Sequence, residues 1–440
     1  MSSQTAPPQR TGVVRQSILA SILVIGLGAL SMGACDDAIT SAEARRLVAS
    51  SGPELAIAWN GLGYEIAYAE DEFLTFKGQR ALAMMHLAMH DALQAVAPIY
   101  ETYAYEARQP EADPFVAAAQ AASDILLAVY PDRQDAIEAE LEVWLAGASD
   151  ETARERGRET GAASARALLG ARADDGWDEA GSYAFRESPG EYRTTPPWEG
   201  FTLQPGFRYA RPFTFDDPAR FRPATPPALD SREYADALAE VRTHGDSSST
   251  VRSDDQTGYA VWWMEFSESA VGRLVRRLLA ERKPTLWDAN RMLAHMYTAL
   301  YDGYVSNWDS KYEFNHWRPY TAIREAGAGG SPATEPDPDW VPLRATPPFP
   351  EYASAHATGC AVAYEVATRF FGDDVGFENT SLTAPPGMTV RTFSSFRAAA
   401  AECADSRIQL GWHFRYSTEA GLEAGRRIAH HVMDTMLATR

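Results

Sequence analysis

Arg80 to Asp91 reads RALAMMHLAMHD and Arg291 to Asp302 reads RMLAHMYTALYD; superposed, they share Arg, Leu, Ala, Met, Ala and Asp at six of twelve positions. Four of the shared residues, Leu82, Met85, Ala88 and Asp91, recur in steps of three, the spacing of a helix face and not of a strand. A helical unit written twice predicts an all-α chain of two related helical bundles. Coincidence between common helix-forming residues is the competing explanation.

The flanking sequence fits that architecture. Leu74 to Val96, Phe115 to Val129, Asp135 to Leu145 and Glu151 to Ala171 are rich in alanine and free of internal proline, which predicts helices. Asp174 to Pro227 is crowded with Pro, Gly, Arg and aromatic residues and predicts a long irregular connection. Helical character resumes at Arg232. Thr285 to Asp288 resembles a capping box, and Leu286, Ala289, Leu293, Met296 and Leu300 then mark one helix face. Another helix should start at Ser354, carry His356, Cys360, Tyr364, Ala367 and Phe371, and stop at Gly372. The expected division is a leader over 1–35, a first bundle with the connection over 36–205, and a second bundle over 206–440.

A formal charge of -20, with no basic run, argues against a nucleic-acid partner. At the N-terminus, Arg10 and Arg15 precede an apolar run from Ile18 to Leu30 and the small residues of SMGACDD, the order of an export signal. Ser31 to Cys35 resembles a bacterial lipobox, which would lipidate Cys35. The expectation is a cell-envelope lipoprotein touching the membrane only through that anchor; simple secretion and an uncleaved anchor are the alternatives.

Lys311 is one of three lysines among forty basic residues. It belongs with Arg318, Ser354, His356, Arg407 and His413, which lie in KYEFNHWRP, PEYASAH and SRIQLGWH. Three permanent positive charges, a hydroxyl at a helix start and two imidazoles make a set suited to an oxyanion. One imidazole would bond the central atom and the other handle protons.

Lys-x6-Arg-Pro, Ser-x-His and Ser-Arg-x5-His resemble the signature of the vanadium-dependent haloperoxidases and the type 2 phosphatidic acid phosphatase superfamily. NGLGYEIAY, MMHLAMHDALQAV, PPALDSREYADALAEV and YTAIREA extend the resemblance to secreted bacterial members of the haloperoxidase branch. It implies a haloperoxidase/acid-phosphatase type of bundle, with vanadate as cofactor and hydrogen peroxide and halide as substrates. His413 would bond vanadate, His356 would be the acid-base group, and Lys311, Arg318, Ser354, Arg407 and the amide of Ala355 would hold the oxyanion. Lys311 would also polarise the activated peroxide, so Lys311→Arg is expected to keep the fold and depress turnover. Trp308 and Phe349 match aromatic positions flanking the halide region, and both also suit a core. An acid phosphatase working through a phosphohistidine at His413 on a phosphate ester, without cofactor, is the alternative reading. A non-catalytic anion-binding lipoprotein is the third.

Two positions depart from the family pattern. Ala355 replaces a glycine, tolerable if its φ is negative. Ser417 stands where an acid usually follows the metal-bonding histidine by four, so a backbone carbonyl or Glu419 should take its place; Ser417 also suits the N-cap of the last helix. Among other candidates, His86 and His90 lack the Glu of an HExxH pair and read as packed histidines. His316 reads either as pocket wall or as surface. If the motifs converge, Cys360 and Cys403 are near enough to pair; two buried thiols are the other reading.

Overall fold

The helix expected from Leu74 begins at Lys77 in the computed structural model, which describes residues 42–73, 75–329 and 335–440. Cys35 and the rest of the leader lie outside the described residues. The first half contains α1 (42–49), α2 (Glu54–Asp71), α3 (Lys77–Val96), α4 (Pro114–Val129), α5 (Gln134–Gly147) and α6 (Glu151–Ala171). In the second half, α7 (Arg232–His244), α8 (Asp254–Trp262), α9 (Ser267–Arg282) and α10 (Leu286–Phe314) lead to α11 (Pro319–Arg324) and α12 (Ala355–Phe371). A hairpin of β1 (Phe377–Thr380) and β2 (Val390–Phe393) follows, then α13 (Phe396–Gln409) and α14 (Arg415–Thr435). The hairpin, antiparallel with Phe377 opposite Phe393, is absent from the sequence expectation. Four-residue strands are too short for a period of two to stand out.

Side-chain caps fix several helix starts. Asp113 accepts from the amides of Phe115 and Val116, Asp150 from Thr152 and Ala153, and Thr285 from Asp288. Each cap contributes about 1 kcal/mol. Ser354 caps α12 through the amide of Ala357.

The repeated unit falls on α3 and α10, which pack extensively on each other. Its final aspartates do the same job twice. Asp91 accepts from the amides of Tyr103, Ala104 and Tyr105 at 2.8, 2.7 and 2.8 Å. Asp302 accepts from the amides of Phe213 and Thr214 at 2.6 and 3.1 Å and from the Thr214 hydroxyl at 2.6 Å. A buried carboxylate thus pins a bent loop segment in each half, a correspondence that chance matching does not explain. Both halves also share one apolar core, which runs from Val48 to Leu437. Among the described residues no helix is long and apolar enough to cross a membrane.

Small residues set how closely the second-half helices meet. A Cβ added at Gly421 or Gly425 of α14 would lie 2.6 Å from the Ser354 carbonyl or 2.5 Å from the Thr358 carbonyl. Glycine is required for this contact because no side chain fits between the two backbones. The start of α14 is therefore pressed against the start of α12.

His86 and His90 are packed core residues. The ring nitrogens of His86 meet Asn60 at 3.0 Å and Asn290 at 2.8 Å, and Nε2 of His90 meets the Glu101 carbonyl at 3.0 Å. Burial pushes His86 and His295 down to about 4, and His90 and His316 down to about 3. The unfolded chain takes up these protons near pH 6.5, so their contribution is complete above that pH and is lost as pH falls toward 3 to 4. Burial raises Asp91 and Asp302 to about 6 and Glu351 to about 7, which acts with the opposite sign between their unfolded values and those values. His356 and His413 are held down as well and Glu268 is raised, which leaves the buried histidines outweighing the raised carboxyls. Stability is expected to fall by on the order of a few kcal/mol between pH 7 and pH 5. Urea midpoints at the two pH values test this, and an unchanged or rising midpoint at pH 5 would contradict it.

Candidate oxyanion site

Three chain segments deliver the site. α13 ends at Gln409 and the chain reverses at Gly411, whose φ of 79° suits glycine and whose flank leaves no room for a side chain beside the Gly245 carbonyl. That turn places Trp412 and His413 just ahead of α14. His356 sits in the first turn of α12, and Lys311 in the last turn of α10. Arg318 caps α11, and Arg407 lies near the end of α13.

His356, Ala355, Arg407, His413, Trp308 and Phe349 line a single cavity of about 580 Å³. Arg318 meets His413 on its Nε2 side. Its Nε donates to the Phe349 carbonyl at 2.8 Å, and its Nη1 to the Trp412 carbonyl at 3.0 Å and to His413 Nε2 at 3.1 Å. Arg407 donates to the Ser406 hydroxyl at 3.0 Å and to the Trp263 carbonyl at 2.6 Å. Each guanidinium keeps one buried nitrogen, Arg318 Nη2 and Arg407 Nη1, without a partner among the described residues. Burial lowers Arg318 to about 10 and Arg407 to about 9, so both stay charged at neutral pH. Buried donors left unpaired are costly, and an anion would satisfy them.

The two imidazoles are poised alike. His413 donates from Nδ1 to Glu351 at 2.7 Å, which leaves Nε2 as an acceptor. His356 is hydrogen-bonded to the Trp263 carbonyl, and its Nε2 is buried without a partner among the described residues. Burial first, and then the nearby arginines, hold both rings well below the usual histidine range. They differ in the group behind them. A carboxylate supports His413 and a neutral carbonyl supports His356, so His413 is the stronger donor of a lone pair.

Glu351 corrects the expectation that a carbonyl or Glu419 would replace the missing acid. Glu419 lines a separate surface hollow with Arg232 and Glu233, whereas Glu351 reaches His413 from the loop before α12 and also accepts the Phe414 amide at 3.1 Å. Ser417 Oγ lies 3.4 Å from His413 Nδ1 and belongs to the first turn of α14, which Phe414 caps. Ala355 is not among the residues with positive φ, so its methyl is accommodated without strain.

Lys311 has a different first task from the one expected of it. Its Nζ donates to the carbonyls of Pro350, Glu351 and Ala353 at 3.0, 3.0 and 2.7 Å, which uses all three N–H groups of an ammonium. A neutral amine could satisfy only two. Lys311 therefore ties down the loop that carries Glu351 and reaches Ser354, with its Nζ 4.9 Å from the centre of the Phe349 ring; burial and then Arg318 pull its pKa well below the usual lysine range, against the three carbonyls that favour the ammonium. Ser354 is fully buried at the start of α12. Trp308 and Phe349 meet at 5.0 Å on the cavity wall. His316 is neither pocket wall nor surface; it is buried against Tyr416, whose hydroxyl is 2.7 Å from its Nε2.

Cys360 and Cys403 form a disulfide between α12 and α13, joining the helix of His356 to that of Arg407. The bond uses both sulfurs that would otherwise group with His356 as metal ligands. A closed loop with a separation of 43 residues is stabilised by about 4 kcal/mol in the chain-entropy account. Reduction, or the double change Cys360→Ser and Cys403→Ser, is expected to lower the urea midpoint accordingly; identical midpoints would contradict this.

Residues 291–439 match the family model of the VCPO second helical-bundle domain. The chain is 28% identical to the vanadium chloroperoxidase of Curvularia inaequalis over 45% of its own length and 43% of that protein, so it spans less than half of that relative. Among solved structures it is similar to a bacterial vanadium-dependent iodoperoxidase, with a TM-score of 0.76 and 24% identity over 89% of this chain and 99% of the other. A bacterial vanadium-dependent chloroperoxidase superposes with a TM-score of 0.66 and 18% identity, over 83% of this chain and 93% of the other.

Proposed function

We propose that this chain, which belongs to the vanadium haloperoxidase superfamily, is a vanadate-dependent haloperoxidase that oxidises halide with hydrogen peroxide. One observation carries the reading: Arg318 Nη2, Arg407 Nη1 and His356 Nε2 are buried without partners among the described residues and are grouped with His413. Two guanidinium donors and two imidazoles fit orthovanadate. His413 would bond it through Nε2 once the Arg318 Nη1 contact there passes to an oxygen of the anion, with Arg407, the Ser354 hydroxyl and the Ala355 amide on the other oxygens. Bound vanadate supplies a Lewis-acidic centre for activating peroxide. Glu351 holds the His413 ring in its Nδ1–H tautomer and strengthens Nε2 as a donor. His356 Nε2, an acceptor on the same cavity wall, would take a proton released from peroxide. Lys311 fixes the loop that supplies Glu351, and Trp308 and Phe349 give the halide a dry wall.

The same charges suit a phosphate ester, with His413 as nucleophile, so the test has two arms. Purified protein is assayed with and without orthovanadate for peroxide-dependent bromination, and in parallel for phosphate-ester hydrolysis. Bromination that depends on vanadate supports the reading. Hydrolysis inhibited by vanadate, without bromination, would replace it with the phosphatase. We also propose export with a lipid on Cys35, which the Cys360–Cys403 disulfide supports because such bonds persist in oxidising compartments.

A further inference from the structure

The cavity is far larger than an oxyanion and a halide need. At about 580 Å³ it lies in the range of pockets that hold small organic ligands. Phe73, Phe76, Phe266, Trp308 and Phe349 supply flat apolar wall, and Trp198 and Phe201, 39% and 48% exposed, mark its mouth.

One polar station in this wall has no part in the oxyanion chemistry. Glu268, at the start of α9, and Gln79, on α3, both line the cavity and are buried. The Tyr304 hydroxyl donates to Glu268 at 2.9 Å and the Ser267 hydroxyl at 3.1 Å, while the Gln79 amide nitrogen donates to its other oxygen. No ion pair to Glu268 occurs among the described residues; nearby Arg273 pairs with Glu265 instead. Burial pushes the Glu268 carboxyl up, toward its neutral form. Because the Gln79 N–H is committed to Glu268, Gln79 Oε1 is left buried and without a partner among the described residues.

An unpartnered acceptor in an apolar, ring-lined cavity calls for one kind of occupant. A negatively charged molecule is disfavoured beside Glu268 and Gln79 Oε1, and a hydrocarbon would leave Oε1 unsatisfied. We propose that the cavity binds the organic acceptor of the reaction, a neutral ring compound carrying an O–H or N–H donor, with that donor bonded to Gln79 Oε1. The assignment rests on the haloperoxidase reading for its role as acceptor, but the binding itself does not.

The test uses 2-naphthol and 2-methoxynaphthalene, which share the ring system and differ in the donor. Their affinities are measured at pH 7 by equilibrium dialysis against full-length, vanadate-free protein and against Gln79→Leu. Wild-type protein should bind 2-naphthol about tenfold more tightly than the ether, and Gln79→Leu should bring the ratio to about one. Retained binding of the ether would show that the variant is folded. Should the variant not fold, the wild-type ratio alone decides. Failure of both compounds to bind, equal affinities in wild type, or a preference that survives in a folded Gln79→Leu would overturn the proposal. An intact preference in a protein that does not brominate would count against the haloperoxidase reading and leave the binding site standing.

Discussion

Converting His413 to alanine is expected to reduce vanadate-dependent bromide oxidation to background, and Glu351→Gln should lower vanadate affinity by about 10- to 100-fold. The two changes probe one unit. His413 is held through Nδ1 by the Glu351 carboxylate at 2.7 Å and presents Nε2, 3.1 Å from the Arg318 guanidinium. Alanine deletes that nitrogen. Glutamine keeps the shape of Glu351 and removes its charge, so the ring loses its strongest support but stays in place. Turnover together with vanadate titration separates these effects: Glu351→Gln should weaken vanadate binding while the urea midpoint moves little. Unchanged vanadate affinity in Glu351→Gln would show that the carboxylate only fills space.

The second large effect is on stability. Lys311→Met should destabilise the fold by about 4 kcal/mol, because three buried carbonyls lose their donor at once and each unpaired group costs about 1 to 3 kcal/mol. Lys311→Arg is also expected to destabilise, in contrast to the expectation from sequence. Three carbonyls converge on one nitrogen, whereas a guanidinium distributes its donors over a planar fork. Denaturation at pH 7 measures both variants. Wild-type stability in Lys311→Met would show that the three carbonyls find other partners.

Much of this arrangement was legible in the chain. The repeated unit pointed to paired helices because its residues recur at helical spacing, and α3 and α10 lie together with Asp91 and Asp302 in matching roles. Arg318, His356, Arg407 and His413 could be grouped by type alone, since an oxyanion needs cations and imidazoles whatever the backbone does. Glu351 was missed although PEYASAH contains it. The family habit places an acid one helical turn after the histidine, and nothing local says that a carboxylate 62 residues earlier will fold onto that ring. A lone acid in the otherwise apolar and proline-rich PPFPEYASAH was the available signal. The orientation of Lys311 was hidden for a related reason: charge can be counted in a sequence, but the carbonyls that occupy it cannot. Gln79 and Glu268 lie 189 residues apart on different helices, with no shared motif, and the fold alone brings them together.

On this reading Arg318, Arg407, His356 and His413 enclose one oxyanion. Calorimetric titration of orthovanadate into the vanadate-free protein tests it most directly, with Arg407→Met alongside. One vanadate per chain is expected, displaced by inorganic phosphate and weakened at least tenfold in Arg407→Met, since a charge-assisted hydrogen bond contributes about 1.5 to 3 kcal/mol. Absence of binding, or binding that Arg407→Met leaves unchanged, would contradict it.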